Sequence, residues 1–271
     1  VYAGDATAKQ LVVLDGKSGE ELDRIQINHG VHAIDISPDG NYVWVGGPLE
    51  GYYWLSALSV VNTKTNKTES VISPGVGDAS HIALAPDGGE VWVASVTNNI
   101  LWIVDASERE VITVVPLISD HTLTSQSPES PEGILGFIGF NEVAISPDGA
   151  AAYAVGPESS MVYGIDVQTR TVFGTKKAGE RAHGISVSPD GNEVWIANRS
   201  GTVTVMDAAT LSVVETVPLG EYANHVAFSP DGSTAFVSRQ DDIAVISVRE
   251  KEVVDSIPVG KEPHEISLED L

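Results

Sequence analysis

The chain of 271 residues carries 38 Asp and Glu against 15 Lys and Arg, a formal charge of −23, and has no cysteine. A surface this acidic repels phosphate backbones and anionic headgroups, which excludes nucleic acid as a partner; without thiols there is no disulfide scaffold, thiolate metal site or cysteine nucleophile. Apolar residues make up 42%, enough for a core, yet no run reaches the roughly 18 to 20 apolar residues of a membrane span.

The chain opens at Val1 in a strand-like run, VYAGD, with no basic or apolar leader, read as an export signal that is absent or removed. From there one pattern recurs. A short apolar strand (AIDI, IALA, VAIS, ISVS, VAFS) runs into a tight turn at Ser37-Pro38-Asp39-Gly40, Ala85-Pro86-Asp87-Gly88, Ser146-Pro147-Asp148-Gly149, Ser188-Pro189-Asp190-Gly191 and Ser229-Pro230-Asp231-Gly232. Proline presets φ, Asp bonds back to the local backbone and Gly accepts positive φ, so each turn joins two strands. A β-branched or aromatic strand follows (YVWVGG, EVWVAS, AAYAVG, EVWIAN, TAFVSR), then a third run ending in an Asp, Asn or Ser turn (LWIVDASERE, VTVMDAATLS), then a fourth (VITVVPLI, VVETVPLG). No stretch has a helical period.

Such a repeat is that of an all-β, six-bladed β-propeller of four-stranded antiparallel blades. The chain starts at a second strand and stops at a first strand (HEISLEDL), so N-terminal strands two to four and C-terminal strand one close one shared blade. The expected single domain, 1–271, divides into blade one (1–28 plus 262–271), blade two (31–78), blade three (79–118), an insertion (119–140), blade four (141–180), blade five (181–221) and blade six (222–261). Trp44, Trp92 and Trp195 recur at one repeat position and are expected in the core, and the turn aspartates are expected to be structural.

The repeats resemble the YVTN-type β-propeller family, whose units read P-H-G-[IV]-A-[VF]-S-P-D-G, then V-Y-V-[AT]-N, then V-x-[VI]-[IV]-D-x-x-T. Arg181-Ala182-His183-Gly184-Ile185-Ser186-Val187-Ser188-Pro189-Asp190-Gly191, then Val194-Trp195-Ile196-Ala197-Asn198 and Val203-Thr204-Val205-Met206-Asp207, carry the likeness most fully. The resemblance spans the chain and implies the propeller; many relatives have seven blades, and similar repeats occur in surface-layer proteins, periplasmic binding proteins, lactonases and copper or haem oxidoreductases, so it does not choose a function.

Two segments depart from the repeat and are expected on one, upper, face. The first, Gly46 to Leu55 in blade two, reads as a long loop with consecutive aromatics. The second, Ser119 to Phe140, ends in the apolar ILGFIGF, which is expected to fold over the channel mouth or onto the blade-two aromatics. All seven histidines (His29, His32, His81, His121, His183, His225, His264) fall in or beside the same upper segments. His32 and His183 stand six residues before the turn proline, with His264 in the matching slot; His81 and His225 stand five before, and blade four has Asn141 and Glu142 there.

Imidazoles converging from separate blades are ligands for copper or zinc without cysteine, which makes His29, His32, His81, His183, His225 and His264 candidate metal ligands. Glu262-Pro263-His264 also bears a distant resemblance to a segment of the nitrous oxide reductase propeller, whose copper is held by a histidine ring, although the cysteine-bound copper domain of that family is missing here. Arg181, Arg199 and Arg239 fall on the upper loops of blades five and six, a positive patch suited to a carboxylate or oxyanion unless Glu180, Glu221, Asp241 and Asp242 pair with them. With His183, His225, Asn141 and Glu142 they form the candidate ligand site.

The reading is therefore an extracytoplasmic propeller (periplasmic, cell-surface or secreted) that binds a small or anionic ligand, a metal ion or a protein partner at this mouth. The alternative is an enzyme on the same mouth, either a copper-dependent oxidoreductase or a metal-free lactonase or lyase with a histidine base and anion-stabilising arginines.

Overall fold

The structure, a computed structural model, describes residues 1–49, 52–75, 79–95, 99–117, 142–156, 160–220 and 222–260, with Pro263 and Ile266. The turn that dominates the sequence organises itself locally. In blade two the Ser37 hydroxyl donates to Asp39 Oδ1 (2.6 Å), the same carboxylate accepts from the Asn41 amide (3.0 Å), and the Tyr42 amide returns to Ser37 Oγ (2.9 Å). Gly40 closes the turn at φ 68°, a left-handed conformation that a side chain would strain. Ser146–Asp148, Ser188–Asp190 and Ser229–Asp231 repeat the hydroxyl bond at 2.6 Å.

These turns set the strand pairs of an all-β propeller fold with six blades, and no helix occurs among the described residues. Each described sheet is antiparallel with its strands in chain order. Blade one contributes Tyr2–Asp5, Gln10–Leu14 and Glu21–Gln26; its expected closing strand, within 262–271, lies outside the described residues apart from Pro263 and Ile266. Blade two is Ala33–Ile36, Tyr42–Leu49, Tyr52–Asn62 and Lys67–Ile72, and blade three is Ala79–Leu84, Glu90–Ser95, Ile100–Asp105 and Glu110–Pro116. Blade four is Glu142–Ile145, Ala151–Gly156, Met161–Asp166 and Thr171–Lys177. Blade five is Ala182–Val187, Glu193–Asn198, Thr202–Asp207 and Val213–Pro218, and blade six is Val226–Phe228, Thr234–Ser238, Asp242–Ser247 and Glu252–Pro258. Residues 1–140 and 141–271 form two compact units.

In every sheet the pairing of the third strand with the outer strand slips by one residue, as between Ile103 and Val104 or Val205 and Met206. A bulge there twists the exposed edge and blunts it against pairing with another chain. The segment Gly46–Leu55 corrects its reading as a loop. Tyr42–Leu49 and Tyr52–Asn62 continue as a paired hairpin, with Gly46 opposite Leu58 and Pro48 opposite Ser56. Gly46, Gly47 and Pro48 looked like breakers, but Gly47 is needed because a Cβ there would collide with the Gly30 carbonyl, and the Pro48 carbonyl accepts the Gly30 amide (2.8 Å). The expected insertion from Ser119 to Phe140 lies outside the described residues.

The core lies between consecutive blades. Trp44, Trp92 and Trp195 are fully buried, as the repeat requires. Trp92 and Trp195 each donate the indole N–H to the glutamate that starts their own strand, Glu90 (3.1 Å) and Glu193 (2.9 Å), so the polar atom of a buried ring is satisfied. Blade four places Tyr153 at this position; its hydroxyl donates to the Ala208 carbonyl of blade five (2.9 Å), and burial pushes its pKa up to about 12.

The serine hydroxyl is the largest cause holding Asp39, Asp148, Asp190 and Asp231 below the ordinary aspartate value, Asp39 at about 2. A carboxyl whose pKa folding depresses adds stability that is fully present above its unfolded value, about 3.9, and lost as pH falls through the folded value. Equilibrium denaturation at stepped pH is therefore expected to show a falling midpoint from about pH 4 towards pH 2. A midpoint unchanged across that window contradicts the turn chemistry.

Candidate functional site

The second compact unit gathers the charged and imidazole side chains of three successive blades at the starts of their first strands. Glu142 opens the first strand of blade four opposite Val155. His183 lies in the first strand of blade five where the ladder steps from Ala182–Asn198 to Gly184–Ala197, so it is the extra residue of a β-bulge, a device that re-aims a side chain. His225 precedes the first strand of blade six, held by its amide on Ser238 Oγ (3.0 Å), while the Asn224 amide donates to the Ser238 carbonyl (2.9 Å).

Glu142 and His225 both stand five residues before their turn prolines, and the equivalent position in the blade between them is Gly184. That glycine lets them meet. A Cβ on Gly184 would strike the Asn224 carbonyl oxygen and stand 2.7 Å from His225 Cα. With no side chain there, His225 Nδ1 reaches Glu142 Oε2 at 2.9 Å, and both side chains are only 6% exposed. His183 packs edge-on against His225 with ring centroids 5.1 Å apart and an interplanar angle of 64°.

Arg199 completes the group from the loop after the second strand of blade five, where its amide donates to the Arg181 carbonyl (3.0 Å). Its Nη2 is 2.7 Å from His183 Nε2 and 3.1 Å from Asn224 Oδ1, and its Nε is 3.3 Å from the same Asn224 oxygen. Its Cζ stands 5.2 Å from the centre of the Tyr222 ring, a cation–π arrangement. Burial pushes the guanidinium below the usual arginine value; Tyr222 opposes the shift and the Arg181 charge adds to it. Arginine keeps its protons, so His183 Nε2 must accept, which leaves His183 neutral with its proton on Nδ1. Arg199 Nη1 makes no hydrogen bond to a described residue, and no described carboxylate lies within ion-pair distance of this arginine.

His183, His225, Glu142 and Arg199 are thus brought together, with Arg181 exposed beside them. Arg239 is drawn out of the group by its own blade. Its Nε and Nη2 pair with both oxygens of Asp242 (2.7 and 2.6 Å), and Nη1 donates to the Leu219 carbonyl (3.1 Å). In the first unit His29 is fully buried with Nδ1 on the Gly30 carbonyl (2.6 Å) and Nε2 on Ser59 Oγ (2.8 Å), so both nitrogens serve the fold. Burial is the main cause that lowers its pKa, with the Gly30 bond opposing and His32 adding. His32 is exposed and His81 half-buried. Asn141, His121 and His264 lie outside the described residues.

Among the described residues no three His, Asp or Glu side chains group as a metal site, and a nitrogen that accepts from a guanidinium, as His183 Nε2 does, does not suit an ion on the same lone pair. The sequence reading missed Tyr222 and Asn224, the residue in the slot six before the turn proline of blade six, as partners of Arg199. An aromatic two residues before that slot, unique to blade six, was the available signal.

No protein-family model matches the chain, and no match was found among curated proteins. Among solved structures the chain is similar to hydrazine synthase of Kuenenia stuttgartiensis, with a TM-score of 0.77 and 18% sequence identity, over 95% of this chain and 82% of that one. At this identity the likeness speaks for the fold alone.

Gly184→Ala is expected to force the strand starts of blades five and six apart at a cost of about 1–3 kcal/mol. Chemical denaturation measures the cost, and loss of the NOE between the His183 and His225 rings reports the separation. A variant of unchanged stability that keeps this NOE contradicts the role given to Gly184.

Proposed function

We propose that this chain is an extracytoplasmic propeller of YVTN-type repeats that binds a small monoanion, a carboxylate, at Arg199. One observation carries the reading. A half-buried guanidinium is held on its Nε and Nη2 side by Asn224 and His183 and stacked on Tyr222, with no described carboxylate to balance its charge. A cation taken out of water without an anion is costly, and Arg181 nearby adds to the positive field. A bound anion relieves both. In a chain of net charge −23, with Glu142 close by, a single negative charge fits better than the double charge of a phosphate. The acidity supports, for this reading, a site of action outside the cytoplasm.

Calorimetric titration with acetate, pyruvate, sulfate, phosphate, Cu²⁺ and Zn²⁺ tests the proposal on the whole chain. The monocarboxylates are expected to bind in preference to the dianions, with affinity falling as salt rises. Arg199→Ala is expected to weaken binding by about 10- to 100-fold, the worth of one charge-assisted hydrogen bond, while Arg24→Ala leaves it unchanged. Binding of Cu²⁺ or Zn²⁺ lost with His183→Ala, and no binding of carboxylates, overturns the reading in favour of a metal.

A further inference from the structure

The turn ends of the second unit carry the same groove twice, between blades four and five and between blades five and six, and the two copies are filled differently. Between blades five and six, Ser188, Asp190, Glu193, Asp231, Gly232 and Val248 line a space of about 140 Å³. Lys251 of blade six bridges the two blades there, with Nζ 2.8 Å from Glu193 Oε1 and 5.9 Å from the centre of the Trp195 ring. Blade three has Arg109 at the same place in the repeat; its Cζ stands 5.3 Å from the centre of the Tyr42 ring, and Nη2 pairs with Glu69 (2.7 Å). Both cations take the left-handed position of the turn before the outer strand, φ 54° for Lys251 and 60° for Arg109.

Between blades four and five the filling residues are exchanged for small or apolar ones. Ala151 takes the place of Glu193, Ala208 that of Val248, and Leu211, again left-handed at φ 56°, that of Lys251. The space widens to about 470 Å³. An aromatic wall remains. Phe173, 44% exposed, lies across Gly164, where a Cβ would strike the ring, and stands edge-on to Tyr153 with centroids 6.2 Å apart. Asp148 and Asp166 line the same space, each hydrogen-bonded within its own turn, and no described lysine or arginine pairs with either. Burial is the main cause that raises the Tyr153 pKa, and the charges of Asp148 and Asp207 add to it, so the wall lies in a negative field. A groove that keeps aromatic rings and carboxylates but has lost the cation of its neighbour is complementary to a cation from outside.

We propose that this groove receives a lysine or arginine side chain of a partner polypeptide, in the place that Lys251 takes one blade further on. The groups it replaces are themselves side chains, and an aliphatic stem covers the Phe173 ring, which the chain's own residues leave exposed. The charged head faces Asp148 and Asp166, and a net charge of −23 favours the approach of a basic partner. The groove lies at the turn ends of the strands, away from Arg199, and is independent of the anion-binding reading.

Proton–carbon NMR of the whole chain tests the proposal at about 0.15 M salt, where exposed charges more than roughly 8 Å apart are largely screened. The probes are a blocked glycine–serine pentapeptide with one central lysine, its norleucine counterpart and tetramethylammonium. The lysine peptide is expected to cause saturable shifts in the Phe173 ring and in the Ala208 and Ala209 methyl signals. Phe173→Ala is expected to weaken the association about 3- to 10-fold, through loss of the cation–π contact and of the stem's packing surface. Ala209→Lys is expected to abolish it, because the chain then supplies its own cation. Both positions are exposed, and the thermal midpoint of each variant checks that it folds. Equal shifts with the norleucine peptide overturn the requirement for a cation, and tetramethylammonium bound as tightly as the lysine peptide overturns the partner side chain in favour of a small free cation. No shifts, or shifts scattered over the acidic surface and unchanged in both variants, overturn the site.

Discussion

The close approach of two backbones at Gly184 governs the chemistry of the second unit. Where the equivalent positions of blades three, four and six hold His81, Glu142 and His225, blade five holds no side chain, and the Asn224–His225 backbone fills the space. Two consequences follow from this one contact. His225 is carried within reach of a carboxylate two blades away, and His183, thrown out of register by its bulge, meets the face of that imidazole. The first strands are short, and the geometry of a repeat built for packing is thereby converted into a polar cluster without altering the turns below it.

The cluster is chemically asymmetric, and the asymmetry comes from what stands on each imidazole. A guanidinium on His183 Nε2 removes that lone pair from use, whereas His225 stands with its Nδ1 2.9 Å from the Glu142 carboxylate. Two histidines that look alike in sequence thus meet different partners. The opposite ends of the same strands carry the Ser–Asp turns, whose carboxylates are used by their own serine hydroxyls and backbone amides. Glu142 and the turn aspartate of its own blade are separated by the length of one strand.

Much of the fold was legible because its signals are local. The Ser-Pro-Asp-Gly turns and the buried tryptophan position recur at fixed spacing, and each is satisfied within its own hairpin or against the next blade. The blade-two hairpin was misread because Gly46, Gly47 and Pro48 have the composition of a loop, whereas two of them serve a close approach to Gly30. At the site, the spacing from the turn proline placed His183, His225 and Glu142 at one end of their strands. Their pairing was not readable: it depends on an absent side chain in the intervening blade, and Gly184 matches the ordinary repeat. Arg239 was grouped with Arg199 on position alone, but Asp242, three residues on, claims its fork.

The tautomer of His183 gives the most direct measure of this account, because it follows from the Arg199 contact. Long-range proton–nitrogen correlation spectra of the whole chain at neutral pH report which ring nitrogen carries hydrogen. The account predicts a neutral His183 protonated on Nδ1 alone, with an NOE joining its ring to that of His225. A His183 protonated on Nε2, or two rings with no NOE between them, would show that the three blades do not converge as described.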